Sequence, residues 1–255
     1  SGGSVQGTIK NFKSAVPGLN SYTTVLTADE VALENGSNLY YTARAVNLTV
    51  NANGTVGAPL SIMSARAAST WYYRWLWYNA TNGLTATLDT SSTAPTAPTG
   101  YASTDYKCRL PGASRTDSTG SQYLLQLETV GKLSQYAVTT GSNTTNLPVM
   151  ASGTLGTYSE TAPTWAAIAW ANFVPATASR LSVAANNSPT AGTAYHVIIA
   201  PNNSYGGRGA SGFPPLAMGI GAGYISYLTL LLESANIYAC SDGSVSVSVF
   251  SWEEA

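Results

Sequence analysis

Short segments in which apolar and polar residues alternate recur along most of this chain, with turn residues between them. The last segment is the clearest, because Val245, Val247 and Val249 alternate with serines from Ser244 onward. Strand side chains point alternately to the two faces, so this pattern indicates a strand with one face on a core. Such segments follow one another at roughly ten-residue spacing, which is typical of all-β proteins. We therefore expect an antiparallel β-sandwich or jelly-roll-like fold with little or no helix.

The segment from Trp71 to Tyr78 departs from this alternation, because it is bulky at every position. It holds three of the six Trp and three of the 16 Tyr of the chain. Aromatic residues favour strands, and two interpretations are open. The segment is either a central strand buried on both faces or an aromatic platform on which sugar rings stack. Large groups on both faces favour the buried strand, with Trp75 in the core, and Asn82-Gly83 predicts a hairpin turn after it.

Two places along the chain indicate its domain organisation. Residues 1–20 are predicted to form an N-terminal arm or a first, loosely attached strand, with a frayed terminus as the alternative. An arm would dock on a neighbouring subunit through Lys10, Phe12 and Lys13. Residues 21–255 are predicted to form one β-rich domain. A Pro/Ser/Thr/Ala segment at 90–100 is either a long loop or the place where this domain splits into two β subdomains.

Composition narrows the classes of partner. Charged residues make up 9% of the chain, against about 25% in an average protein, whereas 44% of the residues are hydrophobic and the net charge is -1. A chain with so little charge lacks the basic face that nucleic acid requires, and its weak repulsion between copies suits a subunit that assembles. No run of 18 apolar residues occurs, so we expect no membrane insertion. Cys108 and Cys240 are predicted to be buried, and the sequence leaves open whether they are bonded.

Catalytic and metal-binding patterns are weak. The chain has one histidine, His196, and no nucleophile-elbow motif, so we expect no enzyme activity, no metal and no cofactor. Carboxylates that a glycoside hydrolase could pair lie in no recognisable motif, and among them Glu233 is unusual because it follows an apolar strand. The candidate acids are Asp29, Glu30, Glu34, Asp105, Asp117, Glu128, Glu160 and Glu233.

A long Gly/Asn/Ser/Pro loop spans residues 201–215, and functional residues are often carried on such loops. We predict that ligand or partner binding is located there. The candidate binding residues are Asn202, Asn203, Tyr205, Arg208 and Phe213.

Several turns and aromatic segments form a recognisable set, namely Ala67–Tyr72, Trp77–Asn79, Ala94–Tyr101, Arg115–Gly120, Gln135–Val138 and Leu147–Gly153. These segments resemble a family of tailed-bacteriophage and prophage virion proteins of tail-fibre or tail-associated type. The resemblance covers roughly residues 20–153 and, more loosely, the stretch from residue 200 onward. Its motifs are structural and identify no catalytic residue.

The resemblance implies a structural protein of the virion surface, assembled in the cytoplasm of a bacterial host. We expect a tail-fibre or tail-tip protein that binds a host glycan. A capsid decoration (cement) protein and a polysaccharide depolymerase are the alternatives. The expected partners are further copies of the chain, with a trimer as the first expectation, and other virion proteins.

Overall fold

The fold was determined as a computed structural model that describes residues 8–137, 147–187, 196–207, 209, 217–218 and 225–255. Over these residues the chain is all-β. Its sheets are antiparallel, the arrangement is consistent with a β-sandwich, and none of the described residues is helical. The described part of the chain accordingly contains no helix that could cross a membrane. The predicted fold class is confirmed.

The chain forms two compact units, Ser1–Ser142 and Asn143–Ala255. Residues 90–100, where the sequence left open either a long loop or a split, lie inside the first unit. The strands of the first unit are β1 (Ile9–Lys10), β2 (Lys13–Ala15), β3 (Thr23–Glu34), β4 (Tyr40–Asn51), β5 (Trp71–Asn79), β6 (Gly83–Asp89), β7 (Tyr106–Arg115), β8 (Leu127–Val130) and β9 (Leu133–Tyr136). Those of the second are β10 (Val149–Thr154), β11 (Ala166–Ala169), β12 (Ala178–Asn187), β13 (Val197–Ala200), β14 (Ala217–Met218), β15 (Ile225–Leu231), β16 (Asn236–Ser241) and β17 (Ser244–Glu254).

Strand β3 organises the first unit. On one side it pairs with β4 along its length, and on the other it pairs in turn with β2, β1 and β7. The strand order is β9-β8-β2-β3-β7-β5-β6, with β1 and β4 also bound to β3. Inward-facing residues such as Leu33 of β3, Val46 of β4, Leu76 of β5 and Leu88 of β6 form the main core.

Strand β5 is buried on both faces, as its sequence predicts. Tyr72 and Leu76 point into the main core. Tyr73, Trp75 and Trp77 point the other way and form a second cluster, on which the segment after β6 packs through Ala97 and Tyr101. The Pro/Ser/Thr/Ala segment is therefore a covering loop.

The N-terminal residues correct one prediction. Strand β1 pairs with β3, and β2 pairs with both β3 and β8. Phe12 lies between them, is 2% exposed and belongs to the main core, so it is not available to a neighbouring subunit. Lys10 and Lys13 remain exposed, with Lys10 bound to Glu30 at 3.1 Å, and their role in assembly stays a prediction.

The second unit consists of two ladders. One has the order β15-β12-β17-β10 and the other β11-β16-β13-β14. Val245, Val247 and Val249 of β17 are buried, which confirms the alternating pattern of the last strand. Cys240 of β16, like Cys108 of β7, is a buried free thiol.

Candidate ligand-binding cleft

A cleft of about 680 Å³ opens in the first unit where β3 and β7 separate. The two strands meet at Glu34, which lies opposite Lys107. From there β1 takes up the edge of β3 at Glu30 and Val31, so β7 diverges. The cleft is lined by Ala32, Glu34, Asn35, Asn38, Trp75, Thr93, Lys107, Cys108 and Arg109.

The floor of the cleft belongs to the outer face of the unit. Leu33 of β3 points into the main core, so its neighbours Ala32 and Glu34 point outward. On β7, Lys107 and Arg109 lie opposite Trp77 and Trp75 in the register with β5, on the same outer face. The side chains of Glu34, Lys107 and Arg109 thus lie on the same outer face of β3 and β7.

The turn that follows β3 forms one wall, and it is held by Asn35. The Oδ1 atom of Asn35 accepts hydrogen bonds from the backbone N–H groups of Ser37 (3.0 Å) and Leu39 (2.9 Å). Asn38 occupies the left-handed region at φ 58°, which asparagine tolerates better than most residues. This wall is therefore held by the side-chain hydrogen bonds of Asn35 and by the left-handed backbone of Asn38.

The covering segment after β6 forms the opposite wall. The Asp89 carboxylate accepts hydrogen bonds from the N–H groups of Ser91 (2.7 Å) and Thr96 (2.8 Å), and Ser91 Oγ accepts one from Ala94 N–H. Both walls are consequently fixed before any ligand arrives. Thr93 projects from this segment into the cleft.

Glu34 is the distinctive group of the cleft. It is half-buried, and within the residues that the structure describes its carboxylate forms no hydrogen bond or ion pair. Glu30, four residues earlier on the same face, is bound by both Lys10 (3.1 Å) and Arg44 (3.2 Å). The Glu34 carboxylate is thus available to a ligand, whereas that of Glu30 is occupied.

Lys107 contributes an ordered ammonium group. Its Nζ atom donates a hydrogen bond to the backbone oxygen of Ser103 (2.6 Å) and lies 5.8 Å from the centroid of the Trp77 ring. An ammonium group has three N–H donors, so donors remain for a ligand.

Two other groups in the lining have limited chemistry. Trp75 is 6% exposed, and its Nε1 donates to the Ser91 backbone oxygen (3.0 Å), so it presents too little surface for a sugar ring to stack on. Burial raises the pKa of the Cys108 thiol to about 11, so this group is protonated at neutral pH and is a poor nucleophile.

Arg74 lies where the pairing of β5 with β7 changes register, next to the cleft residue Arg109. Its guanidinium group is completely buried and donates to the backbone oxygen of Ala113 (2.9 Å), to Ser114 Oγ (3.3 Å) and to Thr129 Oγ1 (3.0 Å). The strand register shifts at this position, so that β7 bulges around the guanidinium group.

The bulge depends on Gly112. At φ +72° an added Cβ atom would lie 2.7 Å from Thr129 Oγ1 and 2.8 Å from Arg74 Nη1. Glycine is therefore required at this position both by its backbone conformation and by the guanidinium group next to it.

The candidate loop predicted from the sequence lies in the second unit, where its polar groups bond to one another. Asn202 Nδ2 donates to the Glu233 carboxylate (2.5 Å), and Asn202 Oδ1 accepts from the Ser204 N–H. The backbone oxygen of Tyr205 accepts a hydrogen bond from Trp165 Nε1 (3.1 Å). We call Asn202, Tyr205, Glu233 and Trp165 the loop cluster.

Of the remaining predicted loop residues, Asn203 is exposed, and Arg208 and Phe213 lie outside the described residues. Gly207 packs closely against the backbone of Ser159 and Glu160, which anchors the loop. The predicted binding role of these residues stays a prediction.

His196 has a partner that the sequence did not reveal. Its Nδ1 atom lies 2.6 Å from Asp242 Oδ2, its backbone N–H donates to Asp242 Oδ1 (2.6 Å), and the Tyr158 ring stacks on the imidazole at 4.5 Å. These contacts join the start of β13 to the turn after β16. Among the described residues no group of three or more His, Cys, Asp and Glu side chains could hold a metal ion.

No protein-family model matches this chain, and no match was found among the curated proteins or the solved structures. Glu34 was one of eight candidate acids in the sequence, and nothing distinguished it from the others. Lys107 is brought opposite Glu34 by strand pairing, which the residues around either position do not indicate.

Proposed function

We propose that this protein is a non-enzymatic structural component of a bacteriophage particle surface, and that its first unit binds a glycan of the host surface in the cleft beside Glu34. The observation that carries the proposal is the half-buried Glu34 carboxylate, which has no partner among the described residues and lies in a cleft with Asn38 and Lys107. A carboxylate that no protein group occupies can accept hydrogen bonds from the hydroxyl groups of a ligand.

The chemistry of the lining suits a sugar. Sugar hydroxyl groups both donate and accept hydrogen bonds, and the cleft offers an acceptor in Glu34 and donors in Lys107 and Thr93. Its volume of about 680 Å³ lies within the range of ligand-binding pockets, about 300–1,000 Å³. The rigid walls supported by Asn35 and Asp89 would lower the entropic cost of binding.

Binding is favoured over hydrolysis by the acids in the cleft. Glycoside hydrolases mostly use two carboxylates on either side of the scissile bond. The lining of the cleft contains one carboxylate, Glu34. The proposal therefore treats Glu34 as an acceptor for sugar hydroxyl groups and assigns it no proton transfer.

The particle assignment is supported by the sequence. The low content of charged residues suits a subunit that packs against others, and the turns and aromatic segments resemble tailed-phage virion proteins. Immunogold labelling of particles produced by the bacterium that carries this sequence tests the assignment. We expect labelled virions, and particles that lack the protein would contradict it.

Screening the purified protein on an array of bacterial surface glycans tests the binding function, followed by calorimetric titration of a glycan that binds. Glu34→Gln should weaken binding by about tenfold or more, since it removes charge-assisted hydrogen bonds. Glu233→Gln in the loop cluster is the matched control and should bind normally. A blank array, or unchanged affinity in Glu34→Gln, would contradict the proposal.

A capsid decoration protein is the second candidate, and the second unit provides the observation that favours it. The outer face of its β15-β12-β17-β10 ladder carries Tyr227 and Leu231, which are 67% and 57% exposed, together with Phe250. Exposed apolar patches often mark contacts between proteins. Electron microscopy of labelled virions separates the candidates, since copies over the shell favour decoration and copies restricted to the tail exclude it.

A further inference from the structure

We infer that the glycan bound in this cleft is acidic, with a carboxylate group held by Lys107 and Arg109 while Glu34 accepts hydrogen bonds from neighbouring hydroxyl groups. This inference rests on the proposed function and names the class of ligand. It follows from the charges of the lining, the spacing of the two basic residues and the position of Glu34.

The charge of the cleft is opposite in sign to that of the whole chain. Its lining contains two basic residues, Lys107 and Arg109, and one acidic residue, Glu34. The chain has a net charge of -1, and its charged residues make up 9% of the total. Two cations at one cleft in so sparsely charged a protein favour an anionic ligand.

The spacing of the two cations suits a single anionic group. Lys107 and Arg109 are two residues apart on β7, so both point to the outer face, at about 7 Å along the strand. Each lies opposite a tryptophan of β5, Trp77 and Trp75 respectively. The Ser103 carbonyl and the Trp77 ring position the Lys107 ammonium group. The Lys107 side chain therefore loses less conformational entropy when a ligand binds.

Glu34 is the cross-strand neighbour of Lys107, and yet the two side chains form no ion pair. Opposite charges at facing positions of a sheet normally attract. An acidic sugar satisfies both groups at once, because its carboxylate binds the cations and its hydroxyl groups donate to Glu34. A dianionic phosphate group suits the site less well, since it would place two charges close to the Glu34 carboxylate.

A glycan array that carries neutral glycans, uronic-acid or sialic-acid glycans and phosphorylated glycans tests this inference. We expect the bound glycans to carry carboxylates. If the protein bound neutral or phosphorylated glycans instead, the inference would fail and the proposed function would survive. A blank array would overturn both.

The strongest control is chemical. The carboxylate of a bound glycan can be reduced to a hydroxymethyl group, which leaves the remainder of the sugar unchanged. We expect reduction to weaken binding to the native protein by about tenfold or more. Equal affinity for the two forms would refute the inference while leaving glycan binding intact.

Protein variants locate the charge recognition. Lys107→Gln and Arg109→Gln should each bind the acidic glycan more weakly and lose most of the native protein's preference for the acidic form over the reduced form. Glu34→Gln should weaken binding of both forms, because both retain the hydroxyl groups. Thermal unfolding identifies variants that fold normally. If the folded lysine and arginine variants still preferred the acidic form as strongly as the native protein, Lys107 and Arg109 would not be its recognition site.

Discussion

Two glutamates near strand ends, one in each unit, can be compared directly. Glu34 ends β3 and Glu233 follows β15. The Glu233 carboxylate is bound by Asn202 at 2.5 Å, and the loop around it is further tied by the hydrogen bond from Trp165 to Tyr205. The Glu34 carboxylate has no such partner among the described residues, although it lies in a rigid polar cleft. Polar groups that bond to one another hold a loop in place, whereas an open polar group in a preformed cleft is suited to a ligand.

The largest effect is expected beneath the cleft. Trp75→Ala should lower the free energy of unfolding by about 3–5 kcal/mol, because Trp75 is buried and core Trp truncations fall in this range. Chemical denaturation monitored by fluorescence measures it. A Trp75→Ala variant of native stability that had lost glycan binding would show that Trp75 contacts the glycan and does not support the core, as the aromatic-platform interpretation holds.

Gly112→Ala should cost less, about 1–3 kcal/mol, since it combines a left-handed backbone with crowding of Arg74 and Thr129. Gly57→Ala is the matched control. Gly57 also has a positive φ, +81°, but an added Cβ there meets nothing within 4 Å, so this variant measures the backbone cost alone. Denaturant unfolding measures the stability of both variants. Equal losses would show that crowding of Arg74 and Thr129 adds no cost at position 112.

The loop cluster is expected to contribute a smaller amount. Trp165→Phe removes the donor to the Tyr205 carbonyl and should lower stability by about 0.5–1.5 kcal/mol, the usual net value of one hydrogen bond. Glycan affinity should be unchanged. Thermal unfolding and calorimetric titration measure both quantities, and a loss of affinity with full stability would place the binding site in this loop instead.

The smallest effect on stability is expected at Glu34. Glu34→Gln should change the free energy of unfolding by less than about 0.5 kcal/mol, because the carboxylate has no partner to lose among the described residues. Equilibrium denaturation tests this. A clear destabilisation would mean that Glu34 has a structural role and that the contrast with Glu233 does not hold.

Patterns confined to one strand could be predicted from the sequence. The serine–valine alternation of β17 predicts one buried face, and the large side chains on both faces of β5 predict a strand buried on both sides. Both predictions depend on strand periodicity alone, and both are confirmed. The N-terminal prediction failed at Phe12, because β1 and β2 on either side of this residue pair with β3 and β8, and nothing near Phe12 in the sequence indicates that pairing.

The cleft could not be predicted for the same reason. Glu34 and Lys107 are brought together by pairing between β3 and β7, and nothing near either residue in the sequence indicates it. The loop of residues 201–215 was selected by its composition. Composition does not reveal that Asn202 and Glu233 are each other's partners.

Calorimetric titration of one array-selected glycan into the native protein, Glu34→Gln and Glu233→Gln, with a thermal melt of each, tests the central claim most directly. We predict that Glu34→Gln loses about tenfold or more in affinity while it melts as the native protein does. Glu233→Gln should bind as the native protein does. Native affinity in Glu34→Gln would contradict the account, and a loss of affinity in Glu233→Gln would move the binding site to the loop cluster.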